Sequence, residues 1–267
     1  MAVLARRTGI VLAACLALLV SPAVAVFGGK PPGQSTGLAR SLAAIVYQTD
    51  DGAHLCTAIA LAPRLLLTAA HCTEGDQSLI KVIFSPDLKD IAADRLRAVA
   101  EVARPGKTAA SDGTYAYNNP DDIALVLLDT DAPAGTQFAT LADAGEPAAR
   151  IVIAGYGATS ELRKPDASGK RQLGFDRQLR AATLPLASTS PDLLVADQTT
   201  GTGACTGDSG GPALAPSANL RVVGVLIGVS SAPSTNDYCR GKAWFASLAR
   251  WQPWLETTAR SLGQPLP

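Results

Sequence analysis

Residues 207–212 read Gly207-Asp208-Ser209-Gly210-Gly211-Pro212, and the fold turns on how this stretch is partnered by the rest of the chain. A serine held between glycines fits GxSxG, the nucleophile elbow of α/β-hydrolases. That fold places its His after the Ser, whereas the two His residues of this chain, His54 and His71, both precede Ser209. The order Asp, His, Ser would need an acid before His71, such as Asp50 or Asp51, and a parallel sheet. The order that survives is His71, Asp122, Ser209. His71 sits in Thr68-Ala69-Ala70-His71-Cys72 after an apolar run, and Asp122 opens Ile123-Ala124-Leu125-Val126-Leu127. Singly each is ordinary: a packing His, a turn Asp, a glycine-rich bend. Jointly they supply a nucleophile, a base and an orienting acid beside a turn able to present backbone donors.

Working outward, short runs rich in Val, Ile and Leu recur with no fixed-period repeat: Leu42 to Gln48, Cys56 to Leu61, Leu65 to Thr68, Leu79 to Phe84, Ala98 to Arg104 and Ile123 to Asp129. Ala132-Pro133-Ala134-Gly135 reads as a linker. Beyond it come Ile151 to Tyr156, Arg180 to Pro185, Leu193 to Asp197, Pro212 to Ala215, Val222 to Val229 and Trp244 to Ala249. Runs broken by turn residues, without alternating helical stretches, predict two all-β halves built as antiparallel barrels or sandwiches, not a parallel sheet. Trp251, Trp254, Leu255, Thr258 and Leu262 fall at helical spacing, with Pro253 suited to a first turn, so residues 251–262 are predicted to form a terminal helix.

Composition narrows the function. The 267 residues are 47% apolar and 17% charged, which excludes a disordered tail or coiled coil. Lys+Arg and Asp+Glu balance at 23 each, leaving no electrostatic footprint for nucleic acid or an anionic membrane. A chain of this length buries enough surface that its core needs no metal. Arg6 and Arg7 precede an apolar run from Ile10 to Val20, and Ala23-Val24-Ala25 offers the small residues of a cleavage site, so residues 1–25 read as a cleavable export signal. The run is too short to span a bilayer. The Arg pair also suits twin-arginine export. Leu12-Ala13-Ala14-Cys15 looks like a lipoprotein box, but the apolar stretch continues beyond Cys15. Cleavage after Ala25 leaves Cys56, Cys72, Cys205 and Cys239, an even set that favours disulfides in an exported chain. Without a CxxC motif or a His cluster, a Cys-rich metal site is not expected; no cofactor is expected, and nothing in the sequence marks a calcium site.

From about Val26 to Leu262 the chain resembles the trypsin-like (chymotrypsin-fold) serine endopeptidases, whose triad order it shares. The resemblance rests on Thr68 to Cys72, Asp122 to Leu125, Gly207 to Pro212, Gly155-Tyr156-Gly157, Ala182 to Leu186 and Trp254. It implies two six-stranded antiparallel β-barrels, about 26–131 and 136–250, with a C-terminal α-helix. It implies a catalytic His71, Asp122 and Ser209, and an oxyanion hole from the amides of Gly207 and Ser209. It also implies the disulfides Cys56–Cys72 and Cys205–Cys239. Val26-Phe27-Gly28-Gly29 resembles the family's mature start, which implies an activation pair of Val26 and Asp208, and signal cleavage alone would then free the active enzyme. Gly203, six before the nucleophile, would floor the specificity pocket with Ala204 beside it and Val229 and Ala243 at its walls. With no acid there, the pocket suits small aliphatic residues. The family's Ser-Trp-Gly strand stands here as Ile227-Gly228-Val229, and core packing of that strand explains the same residues. His54 reads as structural, and Arg163, Lys164, Lys170 and Arg171 as a solvated loop. The expected partners are a protein or peptide substrate and a protein inhibitor, not nucleic acid. The alternative function is a catalytically silent or partner-gated binding protein on the same fold.

Overall fold

Apolar runs cut off by turn residues become the strands of two closed sheets. The computed structural model describes residues 26–33, 37–50, 52–105, 118–143, 149–161, 172–217, 219–232 and 239–266. The export signal and Arg163, Lys164, Lys170 and Arg171 lie outside them. In the first half, β1 (Leu42–Thr49), β2 (Gly52–Ala62), β3 (Leu65–Thr68), β4 (Lys81–Ile83), β5 (Leu96–Ala103) and β6 (Ala124–Leu128) close in the order β1-β2-β3-β6-β5-β4. The strand expected from Leu79 begins later, because Asp76 caps a 3-10 turn at Gln77–Leu79 by accepting from Ser78 N at 2.9 Å and Ser78 Oγ at 2.8 Å.

The second half holds β7 (Thr140–Leu141), β8 (Arg150–Gly155), β9 (Ser160–Glu161), β10 (Leu173–Gly174), β11 (Arg180–Thr189), β12 (Leu193–Asp197), β13 (Pro212–Leu214), β14 (Arg221–Val229) and β15 (Lys242–Ser247). Strands β13-β8-β11-β12-β15-β14 form a second six-stranded ring, closed by pairing of β13 with β14. The short β7 adds in parallel to β14, while β9 and β10 pair with each other; none of these three stood out in the sequence. All closure within the rings is antiparallel, so few strand edges remain open.

A short helix, α1 (Leu38–Ser41), precedes β1, and the terminal helix α2 runs Leu248–Ser261. Its start lies three residues before the one expected, because Leu248 is itself buried against the first core. Pro253 therefore falls inside the helix instead of in its first turn, where it withdraws one backbone donor. Two apolar cores result, one filling the first ring and reaching Ala154, Leu214, Ala246 and α2, the other inside the second ring, and β14 feeds both: Val225 and Ile227 pack in the first, Leu226 in the second. A register shift between Leu226 and Gly228 turns Val229 into the second core as well. Among the described residues no helix is long and apolar enough to cross a membrane.

Candidate active site

β3 and β6 are antiparallel neighbours, with Thr68 opposite Ala124. The residues just beyond the end of β3 and just before the start of β6 therefore emerge at the same rim of the first ring. His71, in the 3-10 turn Ala70–Thr73, meets Asp122 there. His71 Nδ1 lies 2.6 Å from Asp122 Oδ2, and the His71 backbone N–H donates to Asp122 Oδ1 at 2.9 Å. A carboxylate only accepts, so the proton of the ring sits on Nδ1 and the neutral imidazole offers Nε2 as a base. Asp121 points elsewhere. Its Oδ1 takes a 2.8 Å ion pair from Arg250 Nη2, while Arg250 Nη1 reaches Asp192 Oδ1 at 2.8 Å. The Arg250 guanidinium lies over the ring of Trp251, whose Nε1–H donates to the Pro120 carbonyl at 2.8 Å. The first turns of α2 thus clamp the loop that carries Asp122.

The turn bearing Ser209 is held from the opposite side. Gly207 at φ 96° and Gly210 at φ 79° adopt backbone that L side chains rarely take. Thr57, on β2, spans the seam between the two rings: its N–H donates to the Ser209 carbonyl at 2.8 Å and its hydroxyl to the Gly207 carbonyl at 3.0 Å. The same hydroxyl accepts Tyr156 N–H at 3.2 Å. Gly210 N–H donates to the Leu226 carbonyl at 2.8 Å, tying the turn to β14. His71, Ser209 and Gly207 share one cleft of about 690 Å³ with Thr206, Leu55 and Phe175. His54 borders it too, stacked on Tyr47 at 5.0 Å with Nε2 2.8 Å from Thr49 Oγ1.

Asp208 is buried behind that turn, accepting from Gly157 N–H at 2.7 Å and Cys205 N–H at 2.9 Å. Burial pushes its carboxyl up to about 7, opposed by these two amides. Val26 is buried in the same apolar cluster as Cys205, and the adjoining Phe27 carbonyl accepts Gly203 N–H at 2.8 Å. Disulfides join Cys56 to Cys72 and Cys205 to Cys239, the pairing that the resemblance implies. Cys56, His71 and Cys72 bring their ligand-type atoms within 4.8 Å of one another, but both sulfurs are committed to the disulfide and offer no thiolate.

The four residues read as a specificity pocket are not among those lining the 690 Å³ cleft. Ala204, Val229 and Ala243 are packed in the second core, Val229 directly opposite Ala243 across β14 and β15, and Gly203 is buried beside them. Sequence reasoning missed Thr57, Gln198, Arg250 and Trp251. Thr57 lies inside an apolar run and Gln198 follows a strand, so each passes for an ordinary core or turn residue, and no local pattern marks it.

Residues 32–255 match the protein family described as Trypsin. The chain is also 27% identical over 210 residues to the fibrinolytic enzyme, isozyme C, of Lumbricus rubellus, covering 69% of this chain and 80% of that protein.

Proposed function

Since this chain belongs to the Trypsin family and is a serine-type endopeptidase, we propose that it cleaves peptide bonds through His71, Asp122 and Ser209 by way of an acyl-enzyme. The observation that carries the reading is the doubly bonded His71–Asp122 pair at 2.6 and 2.9 Å, sharing a cleft with Ser209. His71 Nε2 takes the Ser209 Oγ proton as that oxygen attacks the scissile carbonyl carbon. The carbonyl oxygen gains the charge, for which the amides of Gly207 and Ser209 are the donors. His71 returns the proton to the leaving amine, the C–N bond breaks, and water repeats the sequence to release the acid. Asp122 fixes the imidazole and stabilises its cationic form.

Export with loss of residues 1–25 completes the proposal, and both disulfides suit an oxidising compartment. The freed Val26 ammonium would pair with Asp208, and the site would be active once the signal is removed. A preference for Ala, Val or Thr before the scissile bond is part of the proposal and rests on the resemblance, with Gly203 and no acid six residues before Ser209. The test exposes a diverse peptide library to protein beginning at Val26, with Ser209→Ala as control. Cuts after small aliphatic residues that vanish in the variant are expected, with kcat reduced on the order of a million-fold. Folded protein with a free Val26 that cuts nothing would overturn the assignment.

A further inference from the structure

The cleft that holds His71 and Ser209 is apolar along most of its wall, which includes Val46, Leu55, Ile83, Leu88, Ile91 and Phe175. Among the described residues lining it, Arg177 alone carries a permanent charge, and no acid stands there. The acids next to Arg177 are engaged by its neighbours. Asp176 Oδ2 accepts Arg180 Nε–H at 2.8 Å, and Asp87 Oδ2 accepts Gln178 Nε2–H at 3.4 Å. No ion pair among the described residues reaches Arg177 itself. Its backbone stands at φ 60°, a left-handed conformation that favours glycine. It is fixed there from both sides: the Arg177 carbonyl accepts Leu88 N–H at 2.7 Å, Asp87 bridges to Gln178, and Leu179 N–H donates to the Pro86 carbonyl at 2.8 Å. Such conformations persist where the surroundings over-determine them, and they gather at binding sites. Gly203, Ala204, Val229 and Ala243, which the resemblance assigns to the side chain before the scissile bond, do not line this cleft, so it is left to the residues that follow the bond.

We infer that Arg177 binds a carboxylate on the leaving side of the substrate, shortly after the bond that is cut. The inference rests on the peptidase reading above and adds a substrate class to it. A cleft of about 690 Å³ is roughly 9 Å across, and an extended chain advances about 3.3–3.6 Å per residue, so the carboxylate belongs within about three residues of the bond. An acidic side chain and a free chain end both present this group, which the guanidinium fork can hold by two parallel hydrogen bonds. Phe175 is 41% exposed in the same wall, so apolar residues flanking the carboxylate gain by covering it.

The experiment compares kcat/KM for peptides that differ only in Glu or Gln at successive positions after the scissile bond, each with an amidated or a free chain end. A matched set carries the Glu or Gln before the bond. In amidated peptides the Glu-to-Gln ratio is expected to reach roughly tenfold at one of the first three positions after the bond, the size of a hydrogen bond to a charged group, and to shrink as salt is raised. That result assigns the site to an acidic side chain. A free-to-amide ratio of the same size in the Gln peptides assigns it to the chain end. Arg177→Gln should bring these ratios to about one, Arg177→Lys should keep part of them, and Arg177→Glu should reverse them. Ratios within one variant cancel any loss of active protein, and labelling of Ser209 by a fluorophosphonate shows that the site has formed. Should Arg177→Gln fail to label, Arg177→Gly suits φ 60° and removes the same group. Equal rates for charged and neutral peptides in labelled wild-type enzyme, ratios that survive Arg177→Gln or Arg177→Gly, or a preference confined to carboxylates before the bond would overturn the inference while leaving the peptidase reading intact. Loss of labelling in the Gln and Gly variants alike would make Arg177 a folding residue and overturn it too. A wild-type enzyme that neither labels nor cleaves would remove both readings together.

Discussion

A single extra residue before Val26 should make stability fall with rising pH. With the Val26 nitrogen in a peptide bond, the buried Asp208 carboxyl faces two backbone amides, and no charge among the described residues offsets its burial. Its pKa rises from 3.8 to about 7. An acid whose folded pKa is raised binds its proton more tightly in the native state, so its stabilising contribution is full below pH ~4 and is lost as pH climbs through about 7. At about 1.4 kcal/mol per pH unit, that interval represents about 4 kcal/mol. A free Val26 ammonium beside Asp208 would favour the carboxylate and draw its pKa back down from that value. The loss of stability with rising pH would then shrink or vanish. The assay is urea unfolding between pH 4 and 8 of two Ser209→Ala proteins, one beginning at Val26 and one at Ala25. The extended protein should lose stability across this range relative to the other, and its Ser209 counterpart should be inactive. Superimposable pH profiles would refute the pairing, as would full activity of the extended enzyme.

Other consequences concern residues that hold the site. Trp251→Phe removes the donor to Pro120 while keeping an aromatic ring, so steady-state kinetics should show kcat falling, by up to about a hundredfold if Asp122 moves by an ångström, with KM unchanged. A pH–rate profile should show the ascending limb displaced, which loss of packing alone would not produce. Thr57→Val strands the Gly207 carbonyl and Tyr156 N–H in a buried seam and should cost about 1–3 kcal/mol in denaturant unfolding, together with activity. Gly210→Ala combines φ 79° with a Cβ 2.9 Å from Ala69 N and closer to Thr57 O and Thr68 Oγ1, so its melting curve should show a loss above about 3 kcal/mol or no folded protein at all.

The twelve apolar runs all became strands, because alternation between β-branched runs and turn residues is a local signal that the ring topology leaves in place. The His71–Asp122–Ser209 candidates were legible for a different reason: both His residues precede Ser209, and Thr68 to Cys72, Asp122 to Leu125 and Gly207 to Pro212 resemble the family's motifs. What stayed hidden is long-range. Thr57 and Gly207 are 150 residues apart, Trp251 and Pro120 131, and Gln198 and Cys239 41. Each pair forms only when strands distant in sequence become neighbours. Pro253 shows the converse: locally it marks a first turn, but burial of Leu248 extends α2 upstream and leaves it inside the helix.

These hidden residues share a physical trait that separates what holds the fold from what aims the site. The two rings draw their stability chiefly from apolar side chains, and burial of such surface is indifferent to direction. Direction comes from buried polar atoms whose bonds have one good geometry, and no buried side-chain N or O among the described residues lacks a partner. Thr57 orients the Ser209 turn, Trp251 the Asp122 loop and Gln198 the segments that carry Ala204 and Cys239. Volume-conserving replacements at these positions retain most apolar packing and remove the directional bonds. Thr57→Val and Trp251→Phe should accordingly lose a larger share of catalytic efficiency than of stability, whereas a core truncation such as Leu125→Ala should lose about 2–5 kcal/mol of stability with little change in kcat for the protein that remains folded. Equal losses in both quantities for the two sets would mean that the rings themselves position the site, and that the buried polar bonds merely follow.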